Sequence, residues 1–157
     1  MELKFIDNNS KQLVLFDMDG VVAEYIAGEE LLIQKEYPCI YLNKRPMKSV
    51  ISIAEKLQCD ENITVGILSS CEFQSQVTEK KDWLKKHMPF LTEPNIHIIV
   101  WNDGKYTRET RRFAKSDVIK TIKGYDKIFL IEDKHDVIKA TNREMPGVAH
   151  HISELIE

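Results

Sequence analysis

The stretch Leu13-Val14-Leu15-Phe16-Asp17-Met18-Asp19-Gly20 decides the fold prediction. Four apolar residues run without interruption into an Asp-x-Asp-Gly tetrapeptide. Continuous apolar runs are typical of strands that helices cover on both faces, as in parallel sheets. We therefore predict a buried first strand that ends at Asp17, with polar side chains at its carboxyl end.

The same type of apolar run recurs along the chain and predicts further strands. They are Ile63 to Leu68, Ile96 to Val100, Lys127 to Ile131 and, more weakly, Gly147 to His150. An additional strand at Leu3 to Ile6 is considered, joined to the first through the turn-like residues Asn8-Asn9-Ser10.

Helical spacing of apolar residues fills the segments between these strands. Pro46 suits a first helical position, and an apolar stripe with the i, i+3, i+4, i+7 spacing follows it. Its members are Val50, Ile53, Ala54 and Leu57. Three similar patterns are Phe73, Val77, Leu84 and Met88 before Pro89; Val118, Ile119 and Ile122 before Gly124; and Val137, Ile138 and Thr141.

Alternating strands and helices predict an α/β fold, a three-layer, doubly wound parallel sheet. The 157 residues fit one domain, since no linker-like composition shift divides residues 1–157. Residues 24–43 lie between the first strand and its helix and are expected to form a small insertion beside the site.

Bulk composition narrows the class of protein. Charged residues make up 30%, the formal net charge is −3, and the apolar runs are too short to span a bilayer. Without a secretory pattern at the start, we expect a cytoplasmic protein with no membrane partner. The three cysteines are widely spaced and suggest neither a disulfide framework nor a metal site. No oligomeric state follows from these features.

Polar residues follow the predicted strands at the points where each one ends. They are Asp17 and Asp19 after the first strand, Ser69 and Ser70 after the second, and Glu132 and Asp133 after the fourth, with Lys115 at the start of the preceding helix. In a parallel sheet these groups meet at one edge, where ligands bind. Clustered carboxylates need a cation, and oxygen-only ligands favour Mg²⁺. The expected metal ligands are Asp17, Asp19, Asp133 and Glu132.

This arrangement predicts phosphoryl transfer. Asp17 would attack phosphorus to form an aspartyl-phosphate, and Asp19 would act as general acid and then general base. Ser69 would donate a hydrogen bond to a phosphoryl oxygen, and Lys115 would neutralise the phosphate. Gly20 would let the backbone turn sharply beneath the phosphate.

Several assignments remain open from the residues alone. Ser70 is the register alternative to Ser69, and Lys105 competes with Lys115 because both follow the third strand. A basic run contains Arg108, Arg111 and Arg112. These arginines form either a solvated loop or a substrate-binding group that grips a second phosphate or a nucleic-acid backbone.

The motifs Phe16-Asp17-Met18-Asp19-Gly20-Val21, Ile67-Leu68-Ser69, Lys115 and Glu132-Asp133 resemble motifs one to four of the haloacid dehalogenase superfamily. Residues 17–25 with Trp83-Leu84 look like cytosolic 5′(3′)-deoxyribonucleotidases. Residues 111–119 are similar to the phosphatase domain of phage polynucleotide kinase/3′-phosphatases. The chain departs from the pattern at Glu132, where Asp or Gly is usual, and residues 24–43 make only a reduced cap.

The resemblance implies a magnesium-dependent phosphomonoesterase that acts on a phosphorylated small molecule, a nucleoside monophosphate in the first place. The alternative substrate is a phosphorylated nucleic-acid end. A different class, the phospho-accepting receiver domain, also gathers acidic residues, Ser/Thr and Lys at strand ends. In receivers the phosphorylated aspartate ends the third strand, which points to Asp103 here and fits the Asp17-x-Asp19 pair less well.

Overall fold

The computed structural model describes residues 3–7 and 9–155 and contains one five-stranded sheet in the order β3-β2-β1-β4-β5. Every neighbouring pair of strands is parallel. The strands are β1 (Gln12–Phe16), β2 (Ile63–Cys71), β3 (Ile96–Val100), β4 (Lys127–Glu132) and β5 (Ala149–His151). The predicted α/β class with a parallel sheet is confirmed.

Helices connect the strands and cover the sheet, which completes a three-layer arrangement. They are α1 (Glu29–Gln34), α2 (Lys48–Gln58), α3 (Gln74–His87), α4 (Ala114–Thr121) and α5 (His135–Glu144). Short 3-10 helices lie at Glu93–Asn95, Arg111–Phe113 and Ile152–Leu155.

Successive side chains of the central strand β1 point to opposite faces of the sheet and pack into two separate hydrophobic cores. Val14 and Phe16 of β1 pack in the cluster that includes the α2 and α3 residues Ala54 and Leu84. Leu13 and Leu15 point to the opposite face and pack with residues of α4, α5 and β5. Because both faces of β1 are buried, the uninterrupted apolar run that predicted this strand has a direct structural cause.

The chain order in the sheet places a crevice at the end of β1. From β1 the chain builds outward through β2 and β3, then returns to the other side of β1 to form β4 and β5. Phe16 pairs with both Ile67 and Ile131; β1 and β4 end at nearly the same level, whereas β2 continues to Cys71. Such a switch point, at the carboxyl ends of the strands, is the usual ligand site of this architecture.

Three sequence predictions need correction. Leu3 to Ile6 is not a strand, since the Ile6 amide donates to the Leu3 carbonyl across a turn at 3.0 Å; Asn8 of the proposed link lies outside the described residues. Pro46 does not begin α2, because Pro46 forms a bridge with Ala23 and the helix begins at Lys48. The second strand continues past Leu68 through Cys71, since its last residues pair with β3.

Residues 24–43 contain α1 and otherwise consist mainly of turns. None of the helices in the described part of the chain combines the length and the apolar character that a membrane crossing requires.

Gly66 allows the centre of β2 to pack closely against its surroundings. A Cβ atom at this position would lie 2.5 Å from the Asn95 carbonyl oxygen and 2.9 Å from Leu15 Cδ2. We expect Gly66→Ala to lower the free energy of unfolding by about 1–3 kcal/mol, because backbone must move to admit the methyl group. Urea denaturation measures this, and an unchanged midpoint would show that the close contact is absent.

Candidate active site

Three carboxylates from two neighbouring strands meet at the predicted edge of the sheet. Asp17 follows β1, and Glu132 and Asp133 lie at the end of β4. Each offers one oxygen, and these oxygens all lie within 4.8 Å of one another. The Asp17 amide donates to the Ile131 carbonyl at 2.9 Å, which ties the end of one strand to the other. Residues more than a hundred positions apart therefore share one site.

Lys115 lies inside this carboxylate group. Its Nζ is 2.9 Å from Asp17 Oδ1 and 2.5 Å from Glu132 Oε2, and the residue is 5% exposed. It belongs to the first turn of α4, which brings it over the strand ends. With every group ionised, three carboxylates and one ammonium leave a formal excess of two negative charges.

The pKa values of these groups reflect that excess. Burial raises the pKa of Asp17, and the nearby Glu132 carboxylate raises it further than Lys115 lowers it. The pKa of Asp133 is raised mainly by burial and also by Asp17. Burial alone would lower the pKa of Lys115, but the charges of Asp17 and Glu132 outweigh it and raise that pKa. The site therefore attracts positive charge.

A divalent cation fits this donor set. Asp133 Oδ1 is buried and has no hydrogen-bond partner, which is unusual for a carboxylate oxygen. Glu132 is committed elsewhere: Oε2 accepts from Lys115, and Oε1 accepts from the amides of Asp133 and Lys134. Asp17 and Asp133 thus have oxygens to offer a hard cation such as Mg²⁺, whereas Glu132 holds Lys115 and the chain in place.

Gly20 packs directly against the carboxylate of Asp133. Its φ of +80° is a left-handed conformation that favours glycine, and a Cβ atom here would lie 2.2 Å from Asp133 Oδ2. The predicted sharp turn is present. The absence of a side chain at Gly20 also lets the backbone approach the Asp133 carboxylate closely, and the sequence did not predict this contact.

Asp19 lies apart from the three-carboxylate group, although it was expected to be a fourth metal ligand. Its Oδ1 accepts from Lys44 Nζ at 2.6 Å, and its Oδ2 accepts from Lys80 Nζ. Both lysine side chains are 0% exposed, whereas the Asp19 side chain is 15% exposed. Burial alone would raise the pKa of Asp19, but the charges of Lys80 and Lys44 together with their hydrogen bonds outweigh it and hold that pKa well below its usual range.

The two serines at the end of β2 have different surroundings. Ser69 is fully buried, and its Oγ accepts a hydrogen bond from Lys80 Nζ at 2.9 Å. Ser70 lines the cleft above Asp17. Ser69 is not among the residues that line this cleft, so of the two hydroxyls the structure places that of Ser70 at the cleft wall.

The cleft opens between the strand ends, the residue 24–43 insertion and the loop after β3. Arg111 and Arg112 line it, whereas Arg108 lies 3.7 Å from Glu72 with 59% of its side chain exposed. Lys105 is exposed, with its Nζ over the Tyr106 ring. The remaining lining includes the aromatic residues Tyr25, Tyr41 and Trp101 and the acidic residues Glu29 and Glu30.

Sequence reasoning missed Lys44, Lys80 and the role of Glu29. One signal existed for Lys80, which is three residues after Val77 and four before Leu84, on a predicted apolar stripe. A lysine there must either end the stripe or be buried with partners. Lys44 follows the insertion and carries no comparable pattern.

The comparisons with known proteins bear on the fold. No family model matches the chain, and no curated protein matches it. A solved structure of the Pnkp1/Rnl/Hen1 RNA repair complex matches 96% of this chain and 46% of that one, with a TM-score of 0.63 and 16% identity. Another Pnkp1/Rnl/Hen1 structure gives the same score and identity over 50% of its chain. The chain thus spans about half the length of these neighbours, which share its fold.

We expect Mg²⁺ to raise the melting temperature of the protein, since a cation that binds only the folded state at about 100 times its Kd adds roughly 2.7 kcal/mol. Asp133→Asn should abolish this shift. Asp19→Asn should keep it, because the Asp19 oxygens already bind lysines. Differential scanning fluorimetry with and without Mg²⁺ measures all three proteins, and a shift that depends on Asp19 but not on Asp133 would contradict the assignment.

Proposed function

We propose that this chain is a magnesium-dependent phosphomonoesterase of the haloacid dehalogenase type, with Asp17 as its nucleophile. The observation that carries the proposal is the group of Asp17, Glu132, Asp133 and Lys115 at the switch point of the sheet. Phosphoryl transfer needs a nucleophile, positive charge beside it and a ligand for a metal ion. The Asp17 carboxylate, the buried Lys115 ammonium group and the Asp133 oxygen without a hydrogen-bond partner would supply them in that order. The sequence motifs named above supply the same four positions.

The first half of the reaction forms a bond from an Asp17 carboxylate oxygen to phosphorus and breaks the ester bond to the leaving alkoxide. Lys115 contacts Asp17 and is placed to bind a phosphoryl oxygen as charge develops. The alkoxide takes a proton from Asp19. A bound phosphate dianion would bring negative charge near Asp19 and so oppose the two lysines that lower its pKa, which favours the acid form that this step needs.

The second half returns the site to its starting state. Asp19, now a carboxylate, takes a proton from water as the water oxygen attacks phosphorus. The bond between Asp17 and phosphorus breaks, and inorganic phosphate leaves with Asp17 again ionised. The Ser70 hydroxyl, which belongs to a residue of the cleft wall, would donate to a phosphoryl oxygen. Ser69 instead accepts a hydrogen bond from Lys80 and would not contact the phosphoryl group.

Asp17 and Asp133 would hold Mg²⁺. When bound, this cation would neutralise the excess negative charge and polarise a phosphoryl oxygen. Glu132 keeps Lys115 in position by accepting its hydrogen bond, and also binds two amides at the start of α5. Removal of the Glu132 carboxylate would therefore disturb the nucleophile through Lys115.

A nucleotide is the substrate class that the cleft supports best. Tyr25, Tyr41 and Trp101 offer aromatic surface beside the site, and Arg111 and Arg112 offer positive charge. Residues 24–43 would act as a reduced cap that leaves the cleft open. The second candidate substrate is a 3′-phosphorylated nucleic-acid end, which the fold similarity to structures of an RNA repair complex favours.

A receiver domain fits the structure less well. The aspartate that would accept the phosphoryl group, Asp103, is exposed and lies beyond the edge strand β3. Its carboxylate accepts a hydrogen bond from the Lys105 amide at 3.0 Å and therefore belongs to a local turn.

We expect the purified protein to hydrolyse p-nitrophenyl phosphate with Mg²⁺ and to lose activity in chelator. Asp17→Asn should lower kcat by at least about 10³-fold, since the covalent route is lost. Asp103→Asn is the matched control and should retain wild-type activity. Full turnover by Asp17→Asn, or a loss confined to Asp103→Asn, would refute the proposed nucleophile.

Substrate class is tested by comparing deoxyribonucleoside monophosphates, ribonucleoside monophosphates and 3′-phosphorylated oligonucleotides. We expect kcat/KM for the preferred nucleotide to exceed that for p-nitrophenyl phosphate by at least about tenfold, because binding energy from the rest of the substrate lowers the barrier. Arg111→Ala combined with Arg112→Ala should remove most of this preference. Equal kcat/KM across the panel would exclude a nucleotide-specific site.

A further inference from the structure

A continuous chain of ionic contacts runs beneath Asp19 and is separate from the carboxylate group that fits a cation. Glu29 Oε1 accepts from Lys44 Nζ at 2.8 Å, and the same Nζ donates to Asp19. On the other side, Lys80 Nζ donates to both Asp19 and Ser69. Two acidic and two basic side chains make this network electrically balanced.

Both lysines are placed there by other parts of the chain. The Trp83 indole N–H donates to the Lys44 carbonyl at 2.8 Å, which joins the Lys44 backbone to α3. Lys80 comes from the same helix, one turn earlier. The centroid of the Tyr41 ring lies 5.3 Å from Lys44 Nζ and 4.4 Å from Lys80 Nζ, so one aromatic ring interacts with both cations. Each ammonium group is thus fixed by several contacts.

Stability alone is a poor reason for this arrangement. Two fully buried lysines cost desolvation energy, and apolar residues of similar size often stabilise a protein as well or better. Both lysines converge on Asp19, which lines the cleft and has a more exposed side chain than Glu29, the other carboxylate of the network. The network therefore acts on a group that can reach a substrate.

We propose that Lys44 and Lys80 are positioning residues that fix the Asp19 carboxylate toward the leaving group, and that Glu29 makes this clamp depend on the residue 24–43 insertion. The inference rests on the proposed phosphatase function. With one lysine on each oxygen, the Asp19 carboxylate cannot rotate freely about its side-chain bonds. A fixed orientation is what a group that transfers a proton to a leaving oxygen requires.

The link through Glu29 has a structural basis. Glu29 is the first residue of α1, yet it is only 3% exposed, because its side chain turns inward to Lys44. Its second oxygen accepts from the Ile26 amide at 3.2 Å. The helix α1 is therefore linked to Asp19 through the buried ion pair of Glu29 and Lys44, and a displaced α1 would release this contact to one of the two lysines.

The test compares two substrates in Lys80→Met. An alkyl phosphate needs a proton on its leaving oxygen, whereas p-nitrophenyl phosphate has a leaving group that departs without one. We expect kcat for the alkyl phosphate to fall by about 10²-fold or more, the usual contribution of a general acid, with a loss of roughly tenfold or less for p-nitrophenyl phosphate. KM should change little, since Lys80 does not line the cleft.

A double-substitution cycle tells whether Lys80 acts on the reaction by positioning Asp19 or by an effect that does not involve Asp19. Asp19→Asn combined with Lys80→Met should be no slower than Asp19→Asn alone, because Lys80 acts through Asp19. Lys81→Met is the matched control on the same helix: Lys81 pairs with Glu93 at the surface, and its loss should leave both substrates unaffected. Thermal melting verifies that each variant is folded.

Should Lys80→Met fail to fold, Glu29→Gln with Lys44→Met tests the other half of the clamp while the network remains balanced. The same substrate difference is expected. Two outcomes would overturn the clamp while the phosphatase function stands. One is an equal fall in kcat for both substrates; the other is a kcat in the double variant that is lower than in Asp19→Asn alone. A wild-type protein that hydrolyses neither substrate would overturn the proposed function, and the clamp with it.

Discussion

The excess of negative charge at the carboxyl ends of β1 and β4 is the constraint on which the site depends. Asp17, Glu132 and Asp133 are drawn together by the parallel pairing of their strands, and Lys115 compensates only one of the three charges. Buried like charges repel strongly, because little water screens them. Protonation of a carboxylate or a bound cation relieves this repulsion, and a bound cation is what the proposed metal-dependent phosphoryl site would supply.

A division into two ionic groups gives two aspartates two residues apart different surroundings, as the different roles proposed for them require. Asp17 belongs to the group with excess negative charge, where burial raises its pKa. Asp19 belongs to the balanced group, where Lys80 and Lys44 lower its pKa despite burial. Gly20 then turns the chain and packs on Asp133, so that three of the four residues from Asp17 to Gly20 face three different surroundings.

The sequence predicted the elements whose cause is local. The apolar runs of β1 and β4 and the stripe of α2 reflect burial of their own residues, and the polar residues at strand ends follow from parallel pairing. The clamp could not be predicted, because Lys44 and Lys80 become partners of Asp19 only through tertiary packing. The difference between Ser69 and Ser70 likewise arises from tertiary packing, since the Ser69 hydroxyl contacts Lys80 whereas Ser70 lines the cleft.

The most direct measurement is the anomalous scattering of a crystal of the protein soaked with Mn²⁺, which takes the oxygen ligands of Mg²⁺. An anomalous peak within bonding distance of carboxylate oxygens from both Asp17 and Asp133, and away from the Asp19 carboxylate, is the result we predict. A peak held by the Asp19 carboxylate, or the absence of a peak between Asp17 and Asp133 at saturating Mn²⁺, would contradict a metal-dependent site at the ends of β1 and β4.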